Sequence, residues 1–246
     1  MSQKDLFYII SSIDDDLIAE AAYSKRRTRR FRVGRIAAIA AAAALVLCMS
    51  AYAATILLSG RSGHSSNIPT YTSVPDAQTL RQDIGFVPNI AEKFSNGYGF
   101  KSGHISDNED YGPGGSIYEH YKSLSCVYAR DGLEVYLHAD QARAGLQLKG
   151  AETADTYKGS SLFYYSYTNK IVPPDYQMTE QDKMDEVSGR LVFTYGGIGT
   201  EVNRVQGVAW QYAGINYELI AIDNPLTKED LTQMAKEIID IQGEEK

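Results

Sequence analysis

Three kinds of hydrophobic spacing follow one another along the chain, and each predicts a different element. In DLFYIISSIDDDLIAEAA, the residues Leu6, Ile10, Ile13, Leu17 and Ala21 recur at three- and four-residue steps, with Ile9 and Ile18 beside them. That is the spacing of one helical face. From Ile36 to Leu58 the alternation stops, and 23 residues of Ala, Ile, Leu, Val, Met, Cys and Tyr carry one Ser, one Thr and no charge. In the second half of the chain the period becomes two, which predicts strands.

The uncharged run has no polar stripe, so it does not read as a core helix of a soluble domain. As a helix it would be roughly 34 Å long, enough for a hydrocarbon core of about 30 Å. It is predicted to be a transmembrane helix over 36–58. Lys25, Arg26, Arg27, Arg29, Arg30, Arg32 and Arg35 precede it, whereas Arg61 alone follows closely. Positive charge resists translocation, so the N-terminus is expected in the cytoplasm and the C-terminal part outside the cell. A cleaved export signal is the competing reading, because Ala51-Tyr52-Ala53 has the form of a cleavage site. Against it stand the long patterned N-terminal region and the continuation of the apolar run to Leu58.

The N-terminal segment, 1–35, cannot bury an apolar face by itself. Ser12 and Asp15 form a capping box, Asp14 to Asp16 suit a helix N-terminus and Lys25 to Arg27 its C-terminus. The polar face is acidic up to Ser24, which favours a protein partner over anionic lipid, and Ile10, Ile13 and Leu17 are the candidate partner-binding residues.

Beyond the run, 59–74 is rich in Ser, Gly and Thr and reads as a linker to an extracytoplasmic domain, 75–246. A short helix begins at Asp76 or Thr79, carries Leu80 and Ile84, and stops at Gly85 and Pro88. Asp131-Gly132 marks a hairpin that pairs Tyr128 with Val135, Cys126 with Leu137 and Leu124 with Ala139 on an apolar face. Val127 with Tyr136 and Ser125 with His138 fall on the other face. Ala213-Gly214 marks a second hairpin, pairing Trp210 with Tyr217, Val208 with Leu219, Gly207 with Ile220 and Val205 with Ile222. Apolar residues on both of its faces predict a central position. Thr227 and Asp230 form a capping box and Leu226 and Leu231 a staple for a C-terminal helix with Leu231, Met234, Ile238 and Ile241 on one face. SLFYYSYTN and RLVFTYGG read as further strands, joined by a polar loop containing a short helix. The fold class is α+β: one N-terminal transmembrane helix, then a mainly antiparallel sheet with a packed C-terminal helix.

Charge divides the molecule. Residues 1–35 hold eight basic and five acidic residues, and the overall charge of −7 therefore comes from the part after the span. Nucleic acid is not an expected partner. The two cysteines, Cys48 in the run and Cys126 beyond it, predict no disulfide within the chain, and Cys126 reads as a packing thiol.

The chain carries no motif for chemistry. The four histidines lack metal-type pairing, and Gly-x-Ser-x-Gly, Walker and dinucleotide fingerprints are absent. DNEDYGPGG (Asp107 to Gly115) has Tyr111 and Tyr118 where a calcium loop needs oxygen ligands, and reads as an acidic turn. Phe163, Tyr165 and Tyr167 alternate along one strand face, as packing aromatics or as a binding platform. No enzyme activity, no catalytic residue, no cofactor and no metal is expected.

The stretches IDDDLIAEA, IGFVPNIAEKFSNGYGF and VAWQYAGINYELIAIDNPLTKEDLTQMAKEII, placed around the Arg-flanked run, resemble single-pass, anti-sigma-factor-like membrane proteins of Gram-positive bacteria. Some of their outer domains look distantly like the sheet-and-helix fold of periplasmic lipoprotein-carrier and sigma-regulator families. The resemblance implies a regulator whose outer domain senses an envelope ligand or state while the inner helix holds a partner such as a sigma factor. It carries over no active-site residue. The inner segment is shorter than a complete sigma-binding domain and lacks the His-x-x-x-Cys-x-x-Cys of the zinc-binding class. The alternative expectation is a membrane-tethered binding or carrier module with no cytoplasmic partner.

Overall fold

Hairpin turns and helix caps determine most of the architecture. The computed structural model describes residues 60–111, 117–142 and 150–241, all within the compact unit Ala38–Lys246. The expected cytoplasmic segment with Ile10, Ile13 and Leu17, and the expected span, lie outside the described residues. Among the described residues, no helix is long and apolar enough to cross a membrane.

The fold is α+β with a mainly antiparallel sheet. In chain order it runs β1 (Gly60–Ser65), α1 (Ala77–Asp83), β2 (Gly99–Tyr111), β3 (Ile117–Arg130), β4 (Leu133–Gln141), β5 (Glu152–Tyr157), β6 (Ser160–Val172), α2 (Glu180–Val187), β7 (Leu191–Tyr195), β8 (Glu201–Tyr212), β9 (Ile215–Ile222) and α3 (Lys228–Asp240). The described strands form one nine-stranded sheet in the order β1-β2-β3-β4-β9-β8-β6-β5, with β7 also on β6. The sheet therefore has two halves, a β1 to β4 meander and a β5 to β9 group, paired with each other along β4 and β9.

Both sequence-derived hairpins have the expected register. Asp131-Gly132 and Ala213-Gly214 take positive φ at both turn residues, the geometry of a two-residue hairpin loop. Tyr128 faces Val135 and Cys126 faces Leu137; Trp210 faces Tyr217 and Val208 faces Leu219. The Trp210 and Tyr217 rings stack with centroids 5.2 Å apart, both fully buried. Strands β8 and β9 lie in the middle of the sheet, as their two apolar faces required.

One face of the sheet carries the main core. Helix α3 covers it with Leu231, Met234, Ala235, Ile238 and Ile239. The Thr227 and Asp230 capping box starts this helix, with the Thr227 side chain accepting from the Asp230 N–H. Helix α1 is capped by Asp76, which accepts from the Thr79 N–H at 2.8 Å, and buries Leu80. Between α1 and β2, Phe86, Ile90 and Phe94 complete this layer. Asn89 ties it down, donating to the Ile238 and Ile241 carbonyls and giving its own N–H to Tyr217 Oη.

Three segments differ from expectation. Gly60–Ser65, within the expected linker, is an edge strand paired with β2. An edge strand gains its ladder bonds from the backbone, so small, exposed Gly and Ser side chains suffice. The acidic stretch from Asp107, expected as a turn, is strand as far as Tyr111. Its polar residues are satisfied across the pair: Asp107 faces Lys122, Glu109 meets His120 at 3.3 Å, and buried Asn108 donates to Ser123 Oγ at 2.9 Å. Strand β7 runs parallel to β6, which α2 makes possible by carrying the chain back. Asp182 anchors that crossover: it completes a capping box with Thr179, pairs with Lys170 Nζ at 2.9 Å and accepts from Tyr176 Oη at 2.8 Å.

Replacing Leu231, fully buried under the sheet, by Ala is expected to cost about 2–5 kcal/mol of stability in urea unfolding. A change below about 1 kcal/mol would show that α3 is not integral to the core.

Candidate functional site

The second face of the sheet combines a small apolar cluster with buried polar groups. Tyr165, Tyr167, Val205 and Ile220 form the cluster, and Tyr136, Val192 and Ile222 pack against it. Beside them lies Glu218, a carboxyl only 8% exposed in a strand that is otherwise mostly apolar.

Strand geometry explains how Glu218 is held. Tyr165 on β6 pairs with Gly207 on β8, and Gly207 pairs with Ile220 on β9, two residues from Glu218. Because residue 207 has no side chain, the Tyr165 ring lies across β8 and its Oη donates to Glu218 Oε1 at 2.8 Å. A Cβ on Gly207 would fall 2.5 Å from Tyr165 Cζ and 2.6 Å from the Leu219 carbonyl oxygen. Even alanine would displace the tyrosine.

From the other side, β4 pairs His138 with Glu218 and Asp140 with Asn216. Asn216 donates to Asp140 Oδ1 at 3.0 Å, and His138 Nε2 lies 3.7 Å from Asp140 Oδ2. Ser125 on β3 places its Oγ 3.1 Å from His138 Nδ1. Burial raises the Glu218 carboxyl from 4.5 to about 7; the Tyr165 hydrogen bond and the nearby His138 oppose that rise, and Asp140 adds to it.

This arrangement can hold and exchange a proton, but it is not built for acyl transfer. Ser125 lies mid-strand with β2 on one side and β4 on the other, so the neighbouring backbone N–H groups are committed to the ladders and form no oxyanion hole. Nor do three His, Cys, Asp or Glu side chains come together as a metal-binding set among the described residues.

Other sequence candidates occupy different places. Ile10, Ile13 and Leu17 lie outside the described residues. Cys126 is buried in the main core and its thiol is pushed up to about 12 by burial, so it is an unreactive packing group. His138 lies on the second face, as hairpin arithmetic predicts, and its pairing with Glu218 joins two separate hairpins, which that arithmetic does not reach. Tyr165 and Tyr167 stack on each other with centroids 6.0 Å apart and are buried, so neither offers an open ring to a ligand. The sequence pattern does not single out Glu218; its available signals are a lone carboxyl in the apolar strand INYELIAI and a glycine in VQGVAW. No family model, curated protein or solved structure matches this chain.

The raised carboxyl fixes the sign of a pH dependence. The folded domain binds this proton more tightly than the unfolded chain does. That stabilisation is complete below the unfolded value of 4.5 and is lost as pH rises through about 7. Glu218→Gln, a neutral isostere, is expected to retain more stability than the parent chain at about pH 8 and to differ little at about pH 5. Urea unfolding across that range measures it, and parallel pH profiles would contradict the assignment.

Proposed function

We propose that the protein is a membrane-anchored regulator whose sheet domain lies outside the cell and whose N-terminal helix binds a cytoplasmic partner such as a sigma factor. The observation that carries this reading is the connection between two parts of the chain. Ser59 alone separates Leu58, the last residue of the basic-flanked apolar run, from β1. All six residues of β1 are paired with β2, so a rearrangement of the sheet edge acts directly on the chain entering the predicted span.

The second face supports a sensing role over catalysis, because a buried, hydrogen-bonded carboxyl can respond to conditions, while among the described residues the one hydroxyl beside His138, that of Ser125, lies mid-strand and no metal-binding set accompanies it. On the cytoplasmic side, the stripe of Ile10, Ile13 and Leu17 is the surface for the partner.

Crosslinked purification of the full-length chain from its native membrane tests the proposal, beside a chain with Ile10, Ile13 and Leu17 all changed to Asp. Full-length protein is expected to recover a cytoplasmic regulator, and the triple change to lower that recovery at least about tenfold, since three charges in an apolar contact cost well over 1.4 kcal/mol. Equal recovery from both overturns the assigned surface. Recovery of nothing from either leaves an anchor flank, and with it a membrane-tethered binding module.

A further inference from the structure

We propose that Glu218, reached by Tyr165 over Gly207 and faced by His138 across the β4 and β9 pairing, is a proton-operated switch of the sheet domain. This deepens the regulatory reading and rests on it for its biological meaning: the condition sensed is external acidity, and the ligand is the proton.

The position of the group carries the inference. Glu218 and His138 pair on the strands that join the two halves of the sheet. One half contains β1 and leads to the apolar run; the other is covered by α3. A charge that appears or disappears here acts where the halves meet, rather than at an exposed edge.

The groups facing it make the two states unequal. From β6 come Tyr165 and, one step further, Tyr167. From β4 come His138, Asp140 and Tyr136, and from β9 comes Asn216. Strand β8 presents Val205, Gly207 and Ala209 beside Glu218 on this face, none of them charged. When Glu218 is ionised, a single tyrosine hydroxyl donates to it in an otherwise desolvated setting, where His138 offsets part of the cost and the carboxylate of Asp140 adds to it. A buried charge with so little compensation strains the strands around it. When protonated, the carboxyl is neutral, still accepts from Tyr165 and gains a donor of its own. Low pH therefore closes the pairing and high pH loosens it.

The two ends of the titration are far enough apart to matter. A carboxyl held at about 7 against an ordinary 4.5 changes the opening equilibrium by up to on the order of a hundredfold between acid and alkaline conditions.

Amide hydrogen exchange on the full-length chain in detergent tests the switch, with rates corrected for the intrinsic effect of pH. In the parent protein the amides of β4 and β9 are expected to exchange several-fold and up to about tenfold faster at about pH 8 than at about pH 6. Glu218→Gln should hold them at the slow rate at both. Tyr165→Phe removes a bond that favours the ionised form, so it should move the midpoint of the change to higher pH. Equal corrected rates for the parent at both pH values, or an unchanged pH response in Glu218→Gln, overturn the switch. Partner capture from native membranes at the same two pH values separates this from the regulatory reading. Absence of a partner at both pH values overturns that reading while a pH-dependent exchange difference stands; capture that is independent of pH, with no exchange difference, does the reverse.

Discussion

Strands β8 and β9 must be buried on both faces, and most of the structure follows from how each face meets that demand. On one face the solution is aromatic: Trp210 and Tyr217 stack across the hairpin, and α3 closes over them. The other face has to accommodate Glu218. It does so through an absence, the missing side chain of Gly207, which lets Tyr165 reach across an intervening strand to the carboxyl. Neither face can be changed independently, because Leu219, whose carbonyl also crowds residue 207, points its side chain into the main core.

A carboxyl in that position is a cost when charged and nearly neutral when protonated. The fold thus couples its own stability to pH through Glu218 between about 4.5 and about 7, at the pairing that unites its two halves. Other polar groups near the sheet behave differently. Asp182 is held well below the usual carboxylate range by the Thr179 backbone and then by Lys170, so it stays ionised and serves to pin α2 over β6 and β7. The contrast lies first in desolvation, which dominates at Glu218, and then in the donors: Asp182 accepts from a backbone N–H, an ammonium and the Tyr176 hydroxyl, whereas Glu218 accepts from one tyrosine.

The hairpins were legible because their turn residues, Asp131-Gly132 and Ala213-Gly214, determine register by themselves, and every cross-strand partner then follows by counting. Helices α1 and α3 were legible from the caps at Asp76 and Thr227. Strand β1 was not, since Gly and Ser at an exposed edge have the composition of a linker. The acidic end of β2 was hidden for a similar reason: its pairing depends on Lys122, His120 and Ser123, which lie far along the chain. Of the second face, hairpin counting gave the placement of His138 and Ser125. The contact of Tyr165 with Glu218 joins residues on non-adjacent strands, and local pattern holds no information about it. The sequence-based partner surface at Ile10, Ile13 and Leu17 stands apart from the described sheet and rests on helical spacing alone.

The most direct test is the protonation state of Glu218 itself, read as the carbonyl stretch of a protonated carboxyl by infrared difference spectroscopy of the full-length protein, with Glu218→Gln as the reference. A band that disappears with a midpoint near pH 7, and that the Gln variant lacks, is the expected result. A midpoint near the ordinary value of 4.5 would mean that Glu218 is well solvated, and that neither the Tyr165 bridge over Gly207 nor the proton linkage exists as described.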